Sequence, residues 1–110
     1  MLVEDVDFSD EFCRFVQTNL PTVEAAELLL AAFRDPQAPV GAGKRAEALR
    51  TAGLLDEALR YRPASDELAR QVSTLAQAYE ERPVTLVRLI YALRDQKVRS
   101  FAEAFKLRKN

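Results

Sequence analysis

The sequence contains no histidine and a single cysteine, Cys13. Histidine is the usual general base near neutral pH and the commonest protein ligand of metals, so its absence argues against Ser-His and Cys-His catalysis and against most zinc sites. One cysteine cannot form a disulfide within the chain, and beside Phe12 and Phe15 it is expected to act as a small buried apolar side chain. Paired carboxylates could still supply an acid and a base, but the acidic clusters lie at predicted helix starts and solvated faces. We therefore expect a protein without enzymatic activity, metal or other cofactor.

Glycine and tryptophan are also scarce: the chain has three glycines and no tryptophan, and it is rich in alanine, leucine, glutamate and arginine. Those abundant residues favour helices, and 110 residues are enough for one domain with one core. The sequence thus predicts a mainly α, compact single domain over residues 1–110, with residues 1–8 flexible. No run approaches the roughly 20 apolar residues that cross a bilayer. Because the acidic start also lacks the positive segment of a signal peptide, we expect a cytoplasmic protein without membrane contact.

Capping residues and apolar spacing predict the order of the helices. The prolines and glycines of residues 35–43, DPQAPVGAG, predict a loop between the second and third helices. The apolar run VTLVRLIYAL predicts a buried helix, although its β-branched residues leave a strand as an alternative. The predicted helices are Ser9 to Asn19 capped by Ser9, a helix capped by Thr22 that runs through Phe33, the basic helix Lys44 to Ala52, one starting at Ser65, the apolar helix after Pro83, and a last helix with a capping box at Ser100 and Glu103.

The predicted core comes from the apolar faces of the three most hydrophobic segments. Its members are Leu29, Leu30, Phe33, Val72, Leu75, Val87 and Ile90.

The segment Leu54 to Arg62 has two interpretations. Its composition, LDEALRYR, favours a helix by propensity. The spacing of Leu55, Leu59 and Tyr61 also fits a short two-stranded hairpin that turns at Asp56 to Ala58. The sequence leaves both open.

Charge is distributed unevenly along the chain, although the net charge is only −1. Residues 1–35 hold eight acidic and two basic residues, residues 36–64 hold three acidic and five basic residues, and residues 65–110 hold six acidic and nine basic residues. Such polarity suits a protein that binds an anion on one side, but it also suits self-association or a basic protein partner.

The basic centre combines a short amphipathic helix with an arginine-bearing segment. Ala46, Leu49 and Ala52 give the helix an apolar face, and Gly53 can adopt the left-handed conformation that closes a helix. A cationic helix followed by such a segment can bind a nucleic acid. It can also be an ordinary solvated helix.

The order of these features resembles small bacterial winged-helix proteins regarded as transcriptional regulators. The likeness rests on NLPTVEAAELLLAAFRDP, on AEALRTAGLL followed by RYRPASDELARQV, and on AYEERPVTLVRLIY and RSFAEAFKLRKN. It spans most of residues 9–110. The resemblance implies an abbreviated winged-helix part over residues 9–64, followed by C-terminal helices over residues 65–110.

By this resemblance, the helix from Lys44 to Ala52 would be the recognition helix and Leu54 to Arg62 a reduced wing. The chain departs from the pattern because a winged helix-turn-helix has a further helix before the recognition helix, where only the Pro- and Gly-rich loop is available. The implied function is that of a DNA-binding or transcription-associated regulator, and the implied partner is double-stranded DNA. The alternative is a protein-interaction module on a degenerate winged-helix fold, which binds another protein or itself as a homodimer.

The predicted DNA-binding residues fall into two groups. Phosphate contacts are expected from Lys44, Arg45, Arg60 and Arg62, and base-edge contacts from Arg50 and Thr51.

Each basic group also has a purely structural interpretation. In a hairpin, alternation would place Arg60 and Arg62 on one solvated face while Tyr61 packs inward. The three basic residues of the helix could instead pair with the acidic N-terminal third.

Overall fold

The computed structural model describes residues 8–95, and this part of the chain is mainly helical, as predicted. Five helical segments occur in these residues: α1 Asp10–Asn19, α2 Val23–Arg34, α3 Lys44–Thr51, α4 Asp66–Glu81 and α5, whose described residues are 83–95. The predictions of flexibility for residues 1–7 and of a last helix at Ser100 lie outside the described residues. Phe8, in contrast, is buried, with its ring centroid 5.3 Å from that of Phe12.

Three helices begin at the capping residues that the sequence predicts. The hydroxyl groups of Ser9, Thr22 and Ser65 each accept a hydrogen bond from the backbone N–H three residues further on, at 3.0–3.1 Å. Each bond satisfies one of the N–H groups that a helix start leaves without a partner, which stabilises a helix by about 1 kcal/mol. The predicted loop at residues 35–43 is also confirmed.

The core lies where α2 packs against α3 and α4, and α4 also contacts α1. Five predicted core residues are buried, each with at most 2% of its surface exposed: Leu29, Leu30, Val72, Leu75 and Ile90. Phe33 and Val87, also predicted to be largely buried, are partly exposed: Phe33 packs against the core, and Val87 lies on α5. Cys13 is likewise half-buried rather than enclosed, although it packs against the core.

The apolar segment after Pro83 is a helix, but it is not buried all round. Leu86, Leu89 and Ile90 face the core. Val84 and Tyr91 are exposed by 65% and 51% on the opposite side. The expectation of a buried helix is corrected because Val84 and Tyr91 are exposed and, within residues 8–95, the buried side chains of α5 lie on one face. Within residues 8–95, no helix is long and apolar enough to cross a membrane.

The segment after α3 adopts the hairpin alternative rather than the helix. Leu55 and Tyr61 form an isolated antiparallel β-bridge. The Asp56 N–H donates to the Arg60 carbonyl oxygen at 2.9 Å, and the Leu59 N–H donates to the Asp56 carbonyl oxygen at 2.9 Å. Leu59 has a positive φ of 65°, which a helix cannot contain. Tertiary contacts therefore override the helical propensity of these residues.

Candidate nucleic-acid interface

The α3 helix and the hairpin form one hydrogen-bonded unit. The Leu54 N–H donates to the Leu49 carbonyl oxygen, and the Arg62 N–H donates to the Leu54 carbonyl oxygen, both at 3.0 Å. Gly53 joins the two parts with a φ of 85° in the left-handed region, as predicted. Because the arm that carries Arg60 and Arg62 returns to the C-terminal end of α3, the two basic segments belong to one substructure.

Buried side chains fix this unit to the core. Ala46 and Leu49 on α3 and Leu54 at the hairpin start have at most 1% of their surface exposed. Tyr61 packs its ring edge-on against Phe33, with the ring centroids 5.5 Å apart. Partial burial raises the pKa of the Tyr61 phenol above its usual value of 10.0.

The face of α3 that points away from the core does not carry all of its basic residues. With about 100° between successive residues, the direction opposite Ala46 and Leu49 is occupied by Lys44, Glu47 and Thr51. A shallow depression is lined by these same three residues together with Ala48. Arg45 and Arg50 project from opposite flanks of the helix, about 140° apart. One surface that approached α3 head-on would therefore meet Lys44 and Thr51 before either arginine.

Arg50, predicted to reach base edges, is engaged with a carboxylate of its own helix. Its Nη2 and Nε atoms donate to Glu47 Oε1 at 2.7 Å and 3.0 Å. Both side chains are well exposed, so the pair contributes about 0.2–1 kcal/mol and can open when a stronger partner arrives. Glu47 was missed as part of this surface, although its position three residues before Arg50 is the signal for such a pair.

The hairpin displays Arg60 and Arg62 to solvent on either side of the inward-facing Tyr61. This is the arrangement that the structural interpretation of the hairpin expects. Arg60 Nε lies 3.9 Å from Asp56 Oδ2, a loose ion pair. Arg62 forms no ion pair with another residue of the described part of the chain.

Asp56 organises the turn of the hairpin, and the hydrogen bonds of its side chain were not predicted. Its Oδ1 atom accepts hydrogen bonds from the Arg60 N–H at 3.0 Å and the Ala58 N–H at 2.9 Å. The hydrogen bond from the Arg60 backbone is the main reason why the pKa of the Asp56 carboxyl lies below its usual value of 3.8; the positive charges of Arg60 and Arg62 lower it further. An aspartate at the first position of a turn was the available signal.

Lys44 and Arg45 extend from the start of α3 and are exposed. Neither forms an ion pair with any residue between 8 and 95. We therefore find no ion pair between the basic helix and the described residues 8–35 of the acidic N-terminal third. Arg50 pairs with Glu47 within α3 instead. Lys44, Arg45 and Arg62 thus have no acidic partner among residues 8–95.

The positioning helix of a winged helix-turn-helix has no counterpart between Arg34 and Lys44. Residues 35–43 form a loop that is attached to the hairpin by one backbone hydrogen bond, from the Val40 N–H to the Leu59 carbonyl oxygen at 2.9 Å. The loop thus braces the hairpin, but it places no helix against the start of α3. Among the residues that the structure describes, no three histidine, cysteine, aspartate or glutamate side chains are grouped to hold a metal ion.

Comparisons of this chain with models of protein families, with curated proteins and with solved structures find no match.

Proposed function

We propose that this protein is a non-enzymatic regulator that binds double-stranded DNA, or acts at transcription, through α3 and the hairpin. The observation that carries the proposal is the hydrogen-bonded connection between the end of α3 and the return arm of the hairpin. This connection holds two sets of exposed cations in a fixed relation to each other. The resemblance to winged-helix regulators gives the same two segments the roles of recognition helix and wing.

Phosphate contacts would supply most of the affinity in this proposal. Lys44, Arg45 and Arg62 can bind phosphates without breaking an ion pair with a described residue. Arg60 would exchange its loose contact with Asp56 for a phosphate. Base edges would be met by Thr51 on the outer face of α3 and by Arg50, once Arg50 releases Glu47.

The proposal is tested by measuring the affinity for duplex DNA against salt concentration. Four phosphate contacts, from Lys44, Arg45, Arg60 and Arg62, predict a log-log slope near −3.6, about 0.9 per contact. The double variant Arg60→Ala/Arg62→Ala should flatten the slope by about 1.8 because two contacts are removed. It should leave the fold intact, since both side chains are exposed. Fluorescence anisotropy with a set of genomic fragments gives both quantities.

A matched control removes two arginines that lie outside the proposed surface. Arg70 on α4 and Arg94 on α5 are both exposed. Arg70→Ala/Arg94→Ala makes the same change in net charge and should keep the slope of the original protein. An equal loss of slope in both double variants would show non-specific attraction, and the absence of binding to any duplex at low salt would contradict the proposal.

A second function, a protein-interaction module, is favoured by a separate observation on α5. Val84 and Tyr91 are large exposed apolar side chains seven residues apart, which places them on the same side of the helix two turns apart. Exposed apolar surface of this kind is typical of interfaces with another protein or a second copy of the chain. This second function also agrees with two features of the proposed interface. The positioning helix is missing between Arg34 and Lys44, and carboxylates already bind Arg50 and Arg60.

Light scattering as a function of concentration tests the homodimer form of this second function. We expect a dimer that dissociates in the variant Tyr91→Lys and stays intact in Arg60→Ala/Arg62→Ala. This result would place the interface on α5. A monomer at all concentrations would contradict self-association.

A further inference from the structure

A cavity of about 310 Å³ lies between α1 and the start of α4, and none of the described residues that line it belongs to α3 or the hairpin. Phe15 and Leu68 supply its apolar surface, and Phe15 is itself part of the core. Its volume lies at the lower end of the range of about 300–1,000 Å³ that small-molecule sites occupy. The cavity is therefore large enough for a ligand of a few carbon atoms.

Gln71 gives this cavity a polar group that the fold does not use. It is 92% buried, the one polar side chain of the described residues classed as buried, and it lines the cavity. Its carboxamide forms no hydrogen bond with another described residue. No fully enclosed side-chain nitrogen or oxygen within residues 8–95 lacks a partner, so the Gln71 amide atoms are not fully enclosed, and Gln71 lines this cavity. A donor and an acceptor are thus held ready for an occupant.

Charged side chains of both signs line the same cavity. Glu11 and Arg14 from α1 and Glu67 from α4 line the cavity. All three are exposed, and none forms an ion pair with another residue of the described chain. Buried polar groups are normally hydrogen-bonded and neighbouring opposite charges commonly pair, so this set of unused groups around one cavity is typical of a binding site.

We propose that this cavity binds a small zwitterion, an α-amino acid with an apolar side chain. The apolar side chain packs on Phe15 and Leu68, and the carboxylate pairs with the Arg14 guanidinium. The ammonium group pairs with Glu11 or Glu67. The Gln71 carboxamide provides the remaining hydrogen bonds at the buried end. The proposal is independent of DNA binding, because none of these residues belongs to α3 or the hairpin.

The balance of charge selects a zwitterion over a simple anion. The start of α4 would attract an anion through the helix dipole, but Asp66 and Glu67 already occupy its first turn. The Ser65 hydroxyl is used by the Leu68 N–H. Two carboxylates beside one guanidinium repel a dianion such as phosphate and accept a ligand that brings its own positive charge.

The test is a thermal-shift screen of the purified protein with the twenty L-amino acids at concentrations up to about 10 mM, ten times a Kd of about 1 mM. We expect a saturable rise in melting temperature with at least one apolar amino acid, and titration calorimetry should give the corresponding Kd. The N-acetyl derivative and the carboxamide derivative of that amino acid should each lose the shift, because each lacks one charge. If no amino acid gives a saturable shift, the proposal is wrong.

Variants locate the binding. Gln71→Leu should not lower the melting temperature of the free protein, because the Gln71 amide forms no hydrogen bond with another described residue. It should also abolish the amino-acid shift. Arg14→Gln, on the surface of α1, should weaken binding at least tenfold without unfolding the protein. Arg70→Gln is the control, since Arg70 neighbours Gln71 in sequence but does not line the cavity. Unchanged affinity in both Gln71→Leu and Arg14→Gln would place any binding elsewhere and overturn the assignment.

Discussion

At the scale of single residues, two left-handed backbone conformations decide the path of the chain after α3. Gly53 has a φ of 85° and Leu59 a φ of 65°. Glycine adopts this conformation at no steric cost, whereas a residue with a Cβ pays roughly 1–2 kcal/mol. Leu59 is held there by hydrogen bonds at both of its backbone groups, with Asp56 and Val40 as partners at 2.9 Å.

Gly53→Ala should destabilise the protein by about 1–2 kcal/mol. The new Cβ would impose strain at a φ of 85° and would lie 3.2 Å from the Cβ of Ala64 and 3.7 Å from Leu68 Cδ1. Gly41→Ala is the control: a Cβ at Gly41 meets no atom within 4 Å, and its φ lies outside the left-handed region. Urea unfolding measures the free energy of unfolding of both variants. Equal midpoints for the two variants would show that the left-handed turn at Gly53 is dispensable.

The hairpin turn should loosen in acid because Asp56 is protonated. A carboxyl whose pKa is lower in the folded than in the unfolded protein stabilises the folded state at pH values above its usual pKa of 3.8. This stabilisation is lost as the pH falls through the lowered pKa of the folded protein. The amide resonances of Ala58 and Arg60, which donate to the carboxylate, should shift in this range. In Asp56→Asn the same resonances should show no such transition. A transition that persists in Asp56→Asn would assign it to another carboxyl.

At the scale of elements, each helix turns one apolar face to the core, three of the described helices begin at a side-chain cap, and α2 provides the centre. Its buried side chains contact α3 on one side and α4 on the other. The basic helix α3 has only eight residues, too few for a stable isolated helix in water. Its existence depends on packing, through the buried Ala46 and Leu49.

Leu30→Ala on α2 and Leu75→Ala on α4 should each reduce the free energy of unfolding by about 2–5 kcal/mol. Both side chains have at most 1% of their surface exposed, so truncation leaves a cavity in the core. Val84→Ala on α5 is the control, since Val84 is 65% exposed and should change stability by less than about 0.5 kcal/mol. Unchanged urea midpoints for both leucine variants would show that α2 and α4 do not present these faces to the core.

At the scale of the whole molecule, the net charge of −1 conceals an acidic first third and a more basic remainder. Within the proposed interface, Glu47 and Asp56 lie beside Arg50 and Arg60 and lower the local positive potential. At Arg50 and Arg60, DNA would therefore compete with internal carboxylates for the guanidinium groups.

Glu47→Gln should strengthen DNA binding because it releases Arg50 and removes a negative charge from the outer face of α3. Because Arg50 is proposed to reach a base edge, the affinity for a preferred sequence should rise more than the affinity for random DNA. Glu80→Gln, on an exposed position of α4, makes the same change in net charge and should not change this preference. Identical behaviour of the two variants would show that Glu47 does not compete for Arg50 in the complex.

The sequence by itself determined where the helices begin and which faces enter the core. Caps such as Ser9 and Thr22, prolines at the boundaries and the spacing of leucines are local signals, and they act within a few residues of where they stand. For the same reason the loop at residues 35–43 and the left-handed Gly53 were predictable. The list of exposed basic residues on α3 and the hairpin also followed from the sequence alone.

Only the tertiary structure decided between helix and hairpin for residues 54–62, because the deciding contacts of Leu54, Leu59 and Tyr61 are made with α3, the loop and α2. It alone showed that α5 is exposed on one side, since burial depends on how many neighbours a helix has. The cavity around Gln71 combines residues of α1 and α4 that are more than forty positions apart in the sequence. Periodicity assigns a side chain to a face of its own helix, but which other helix covers that face, and which polar groups are left without a partner there, depends on the packing of the entire chain.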